Sequence, residues 1–254
     1  MLMLLAPSKT QDSNVINWAE ETLPALLPDS EQLIARLREF SVDELGQLMK
    51  MSEQLAVQTH KRINDFQIPF TTHNAKPALA VFQGDVYSRI ATTRYNKEEK
   101  EYLQQHLRIL SGLYGVLRPM DLMQSYRLEM GCKLINSRGK NLYEFWGERV
   151  TDELNRTLAT HDEPLLVNLA SLEYLRVIKK KKLKGKILQI DFKERKGDSY
   201  KTVAIYAKRA RGMMVDFAVK NKVQTVTELQ SFKRGNYCFQ SALSTEERYV
   251  FTRE

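Results

Sequence analysis

Apolar positions along the chain change their spacing several times, and each change predicts an element. The opening MLMLLAP is an unbroken apolar run that ends at Ser8 and Lys9, the pattern of a strand buried on both faces. ALAVF at 78–82 and LLVNLAS at 165–171 repeat it and predict two more strands. KILQIDF alternates between two faces, and with the turn-prone KGD at 196–198 and the following YKTVAIYA it predicts a hairpin. Further extended pieces are expected around Tyr237 and Phe239, and around Tyr249 and Phe251.

Helical spacing appears between these runs. Leu33, Ile34, Leu37 and Phe40 share one face and predict a helix over 31–40. Ser41 and Glu44 form a capping box that opens a long helix over 42–64, carrying Leu45, Leu48, Met49, Leu55, Ala56 and Ile63. Asn96 and Glu99 cap another, in which Leu103, Leu107 and Leu110 lie along one stripe until Ser111 and Gly112 stop it. Pro119 suits the first turn of a following helix. Residues 97–123 therefore read as helix, glycine hairpin, helix. Strands and helices interleave without a linker, so the expectation is α+β: one domain over 1–254, a mixed sheet with surrounding helices.

Charge sharpens this picture. The net charge is +8, yet fifteen of the 39 Lys and Arg fall between 176 and 220, against four of the 31 Asp and Glu. The rest of the chain is slightly acidic. Such a distribution is expected of a surface that attracts a polyanion, with Lys180 and Lys182 at its most basic point. A solvated lysine loop that only aids solubility would look the same. The two cysteines, Cys132 and Cys238, are far apart, which fits a reducing cytoplasm and no disulfide framework. The first apolar run is too short for a membrane span and lacks the basic start of a signal peptide.

Three places could carry chemistry. The stretch Ser111, Gly112, Leu113, Tyr114, Gly115 could offer bare amides to a phosphate, with Arg108, Arg118 and Arg127 supplying full charges. An ordinary turn whose glycines serve only the chain reversal is the plain alternative. Lys208, Arg209 and Arg211 would crowd the positive end of a helix carrying Met213, Met214 and Phe217, at a cost of about 0.3 to 1 kcal/mol each unless an anion sits nearby. Finally, the first strand empties into Ser8, Lys9 and Thr10, while Asp85, Asn168, Ser171 and Glu173 follow other strands. Lys9, Asp85 and Glu173 are the candidate catalytic groups if these ends converge. The four histidines are scattered, and no metal-binding, P-loop or dinucleotide motif occurs, so no metal site and no cofactor is expected.

Several blocks taken together resemble the YaaA family of bacterial peroxide-stress proteins. They are APSKT at 6–10, GDVY at 84–87, LSGLYGVLRPMDLMQSYRLEMG at 110–131, LYEFWG at 142–147, NLAS at 168–171 with Glu173 and Tyr174, and YAKRARGMM at 206–214. The resemblance covers nearly the whole chain. It implies a cytoplasmic protein of the hydrogen-peroxide response that limits unincorporated iron and spares DNA from oxidative damage. It also implies DNA binding, on duplex, bubbled or branched forms, by a single mixed domain with a positively charged cleft and a helix-hairpin-helix element falling at 97–123. One departure stands out, because Gly112 and Gly115 enclose two residues where the common hairpin pattern encloses one. The alternative is an enzyme acting on nucleic acid or nucleosides through Lys9, Asp85, Glu173 and Arg211, and direct iron sequestration is a third.

Overall fold

The computed structural model describes residues 1–14 and 21–254. The chain opens with strand β1 (Leu2–Leu5), followed by helices α1 (Leu27–Leu37), α2 (Val42–Met49) and α3 (Glu53–Asp65). Next come β2 (Lys76–Pro77), α4 (Ala78–Val81), α5 (Lys97–His106), β3 (Leu107–Ser111), β4 (Gly115–Leu117) and β5 (Leu122–Met123). Helices α6 (Leu142–Trp146) and α7 (Arg149–Leu158) precede β6 (Leu165–Asn168), α8 (Leu172–Leu175), β7 (Lys186–Lys196) and β8 (Ser199–Lys201). The last part holds α9 (Ala204–Lys220), α10 (Val226–Leu229), β9 (Cys238–Phe239) and β10 (Arg248–Arg253).

Eight of these strands build one mixed sheet, in the order β4-β3-β1-β6-β7-β10-β9 with β8 paired to β7, while β2 and β5 pair separately and antiparallel. Its centre is parallel: β1 lies between β3 and β6, and β7 runs parallel to both β6 and β10. Every residue of β1, β3 and β6 is buried, which explains their unbroken apolar runs, since helices cover both faces of a parallel centre. β7 instead buries alternate residues, Leu188, Ile190, Phe192 and Glu194, as its sequence pattern predicts. The buried Glu194 carboxylate is neutralised by Arg253 and accepts from the Tyr237 hydroxyl.

Three sequence expectations give way here. The helix over 42–64 is two helices, because Lys50 adopts a left-handed conformation (φ 52°) that ends α2, and the Met51 amide donates to the Gly46 carbonyl at 2.9 Å. ALAVF is not a strand: Ala78–Val81 form the single turn of α4 and Phe82 caps it, all buried except Ala80, and so short an apolar run carries no period to separate strand from helix. The segment after β8 is helical from Ala204, so YKTVAIYA is strand for only its first residues, and Lys208, Arg209 and Arg211 lie one to two turns inside α9.

The largest correction concerns 97–123, which contains no helix-hairpin-helix. The Asn96 and Glu99 capping box starts α5 as expected, but the helix stops at His106 and the chain continues as β3 and β4, an antiparallel hairpin. The stripe of Leu103, Leu107 and Leu110 spans a helix-to-strand junction. Pairing with β1, Leu107 opposite Met3 and Ile109 opposite Leu5, overrides the helical spacing. Pro119 lies in a turn before β5 and starts no helix.

Candidate functional site

The chain leaves β1 toward β3 on one side and leaves β6 toward β7 on the other, so the sheet has a switch point between these two neighbours. In open sheets of this kind a crevice forms outside the carboxyl ends of such strands. The cleft of about 380 Å³ lies there, with Lys9 following β1, Ser171 and Glu173 following β6, and Asp85, Lys208 and Arg211 from other elements on its walls.

Local chemistry fixes each wall. The Leu169 amide donates to the Leu4 carbonyl at 3.0 Å, continuing the β1–β6 ladder up to the cleft floor. The loop after β1 is tied to the segment after α4, where Gln83 donates its amide to Thr10 O (3.0 Å) and Asp12 donates to Val81 O (2.9 Å). The Tyr87 hydroxyl donates to Ala6 O at 2.7 Å. Gly84 takes a positive φ of 95° beside the Ser8 hydroxyl, and a Cβ there would stand 3.3 Å from Ser8 Oγ. Helix α9 forms the opposite wall through a very close approach, because a Cβ on Gly212 would stand 1.9 Å from the Val86 carbonyl oxygen. Only glycine allows that contact.

The charged groups fall into two sets. Lys9 pairs with Glu129 at 2.6 Å, Asp85 pairs with Arg209 at 3.0 Å, and Glu173 accepts from the Gly131 amide at 2.9 Å. The side chains of Arg127, Lys208 and Arg211 make no hydrogen bond or ion pair with another described residue. Burial pushes the Arg211 guanidinium below its usual range, opposed by the more distant charge of Asp191. A half-buried cation without a partner is costly unless an anion arrives. Burial likewise raises the pKa of Tyr87, Tyr126 and Tyr174 on the same walls, so these phenols stay neutral donors.

The remaining predicted residues lie elsewhere. Ser111, Gly112, Leu113, Tyr114 and Gly115 are buried. Their backbone is already engaged: Trp146 Nε1 donates to Gly112 O at 3.0 Å, and the Tyr114 amide donates to Ser111 Oγ at 2.9 Å. Gly112 is small because the backbone of Leu128 passes over it, 2.2 Å from where a Cβ would sit. Arg108 is buried and donates to Gln104 O, Leu107 O and Thr157 Oγ1, and burial lowers its pKa to about 10. Arg118 is held by Asp121 at 2.9 Å and by Leu23 O at 2.8 Å.

The basic region 176–220 also divides. Lys180 and Lys182 precede β7, whose first residue Lys186 pairs with Leu165 at the start of β6. They therefore stand at the end of the sheet opposite the cleft, and Lys182 faces Glu148 at 3.6 Å. Lys208 and Arg211 stand at the cleft. Sequence reasoning missed Glu129 as the partner of Lys9; the block RLEMG around it was visible, but nothing local told that it would fold back over β1.

The architecture defines a single-domain α+β protein with a partly unneutralised cationic cleft at the switch point of a mixed sheet. No helix among the described residues is long and apolar enough to cross a membrane. The family profile described as peroxide stress protein YaaA matches residues 1–243, and the chain belongs to that family. A UPF0246 protein of Acaryochloris marina is 47% identical over 253 residues, covering 100% of both chains. Similar proteins from Cellvibrio japonicus and Magnetococcus marinus are 45% and 46% identical over 255 and 254 residues, covering 100% of this chain and 99% of theirs.

Proposed function

We propose that this peroxide-stress protein binds nucleic acid through the switch-point cleft, gripping the sugar-phosphate backbone with little reading of sequence. The observation that carries this is the gathering around one cleft of Arg127, Lys208 and Arg211, whose side chains form no ion pair with a described residue. Contacts of this kind position a strand without specifying its bases. If three phosphates are neutralised, log affinity falls with log salt at a slope of about −2 to −3. Titration of a labelled oligonucleotide at several ionic strengths tests this, and a flat response removes it. Limiting iron-driven damage is the proposed consequence for DNA so held. Scoring strand breaks under ferrous iron and peroxide, with wild type beside Arg211→Ala, checks that step.

A second reading, an enzyme acting on nucleic acid or nucleosides, draws on the gathering of Lys9, Asp85, Glu173 and Arg211 in the same cleft. Of the two carboxylates, Glu173 is the better placed, because a backbone amide orients it while Asp85 is committed to Arg209. Product analysis after incubation with damaged, bubbled and branched DNA distinguishes the two; intact recovery of every substrate leaves binding alone.

A further inference from the structure

A second cavity, of about 570 Å³, adjoins the cleft and shares Arg127, Glu129 and Glu173 with it. These three side chains therefore form a common wall. On its far side Leu48, Met49 and Cys132 supply a soft, apolar lining, while Lys50 and Lys133 stand exposed, their ammonium groups without a hydrogen bond or ion pair to a described residue. Glu129 is neutralised by Lys9, and one oxygen of Glu173 is occupied by the Gly131 amide. The wall thus presents Arg127 as a cation without an ion pair, beside the Glu173 carboxylate, which keeps its charge.

Lys50 adds a second observation. It is one of three non-glycine described residues with positive φ, at 52°. A left-handed residue that ends a helix is ordinarily glycine, since a side chain adds steric cost. The turn it makes at the end of α2 brings Lys50 to the wall of this cavity.

We propose that the second cavity is a nucleotide subsite continuous with the cleft, so that the ligand is an unpaired strand of at least two nucleotides whose linking phosphate is shared by Arg127 and Lys50, both on the wall of that cavity. This rests on the nucleic-acid reading of the cleft. An apolar lining beside cations matches the two halves of a nucleotide, a base and a phosphate, and both volumes are of the order that seats a small molecule. Bases reach such pockets only when they are out of the stack.

The test compares thymidine 5′-monophosphate with the 5′-phosphorylated thymidine dinucleotide. Wild type should bind the dinucleotide roughly tenfold more tightly, the gain of one further charge-assisted contact. Lys50→Gly should erase that gain and leave monophosphate affinity unchanged. Glycine accepts the left-handed conformation, so this variant keeps the fold. In a Cys238→Ser background, the dinucleotide but not the monophosphate should slow maleimide labelling of Cys132. Equal affinity for the two ligands, each weakened by Arg211→Ala, overturns the subsite and leaves the cleft reading standing. Cys132 labelling unchanged by a bound dinucleotide does the same. If neither ligand binds and Arg211→Ala changes nothing, the cleft reading falls, and the subsite with it.

Discussion

Two glycine turns, Ser111–Gly115 and Gln83–Val86, carry the same kind of signal: a positive-φ glycine close in sequence to tyrosine and arginine. In the first, Gly115 (φ 69°) is packed by Trp146 and Leu26, and every predicted contact residue is buried. In the second, Gly84 (φ 95°) opens beside Ser8 and leads into Asp85 on the cleft wall. A glycine reports that something comes close to the backbone; whether the visitor is a ligand or the protein itself depends on where the strands end. The first turn connects two strands at the edge of the sheet and is covered by Leu128 and α6. The second lies beyond the carboxyl ends of β1 and β6, where no strand continues.

That contrast can be broken from either side. The largest effect is expected from Gly212→Ala or Gly112→Ala, which forces a Cβ to within about 2 Å of a carbonyl oxygen. Each should lower stability by about 3 kcal/mol, measured by chemical denaturation. Arg108→Ala should come next, at about 2 kcal/mol for a buried, three-fold hydrogen-bonded guanidinium, with the salt slope of nucleic-acid binding unchanged. Were the slope to fall instead, the hairpin would be a contact surface after all.

Arg211→Ala should behave in the opposite way. Stability should hold, because a half-buried cation without a partner is removed, while affinity falls roughly tenfold and the salt slope shrinks by about 0.7 to 0.9. Replacing Lys180 and Lys182 together by Gln should alter the slope little, since both stand at the far end of the sheet.

The smallest effect concerns pH at that far end. His161 lies 3.5 Å from the Met1 amino group and edge-on to His106, and its pKa is lowered to about 4, chiefly by burial and then by the amino-terminal charge. A histidine held neutral when folded binds its proton more readily when unfolded. Its contribution is therefore present above about pH 6.5 and is lost as pH falls toward 4. The melting temperature should decline over that window, and His161→Gln should flatten the decline.

The legible parts of the molecule were those where local chemistry and tertiary role agree. β1, β6 and the alternating β7 were readable because burial on two faces or on one leaves a direct trace in residue spacing. The capping boxes at Ser41 and Asn96 marked helix starts correctly. Helix ends were another matter. Leu107 and Leu110 continue a helical stripe, and only the presence of β1, more than a hundred positions earlier, converts them to strand. Lys9, Asp85, Glu173 and Arg211 are each visible in sequence near expected strand or helix ends, but their meeting in the cleft depends on the sheet order. The charge excess over 176–220 was real in sequence, yet β7 carries the chain from one end of the sheet to the other within it, so one basic run becomes two distant patches.

Gly212 fixes more than the seating of α9. Because main chain touches main chain there, the separation between Arg211 and the Gly84–Tyr87 wall is set by atoms that no rotamer change can move. The spacing of these two walls is thus a property of the backbone, fixed when the chain folds and independent of how the cleft side chains turn.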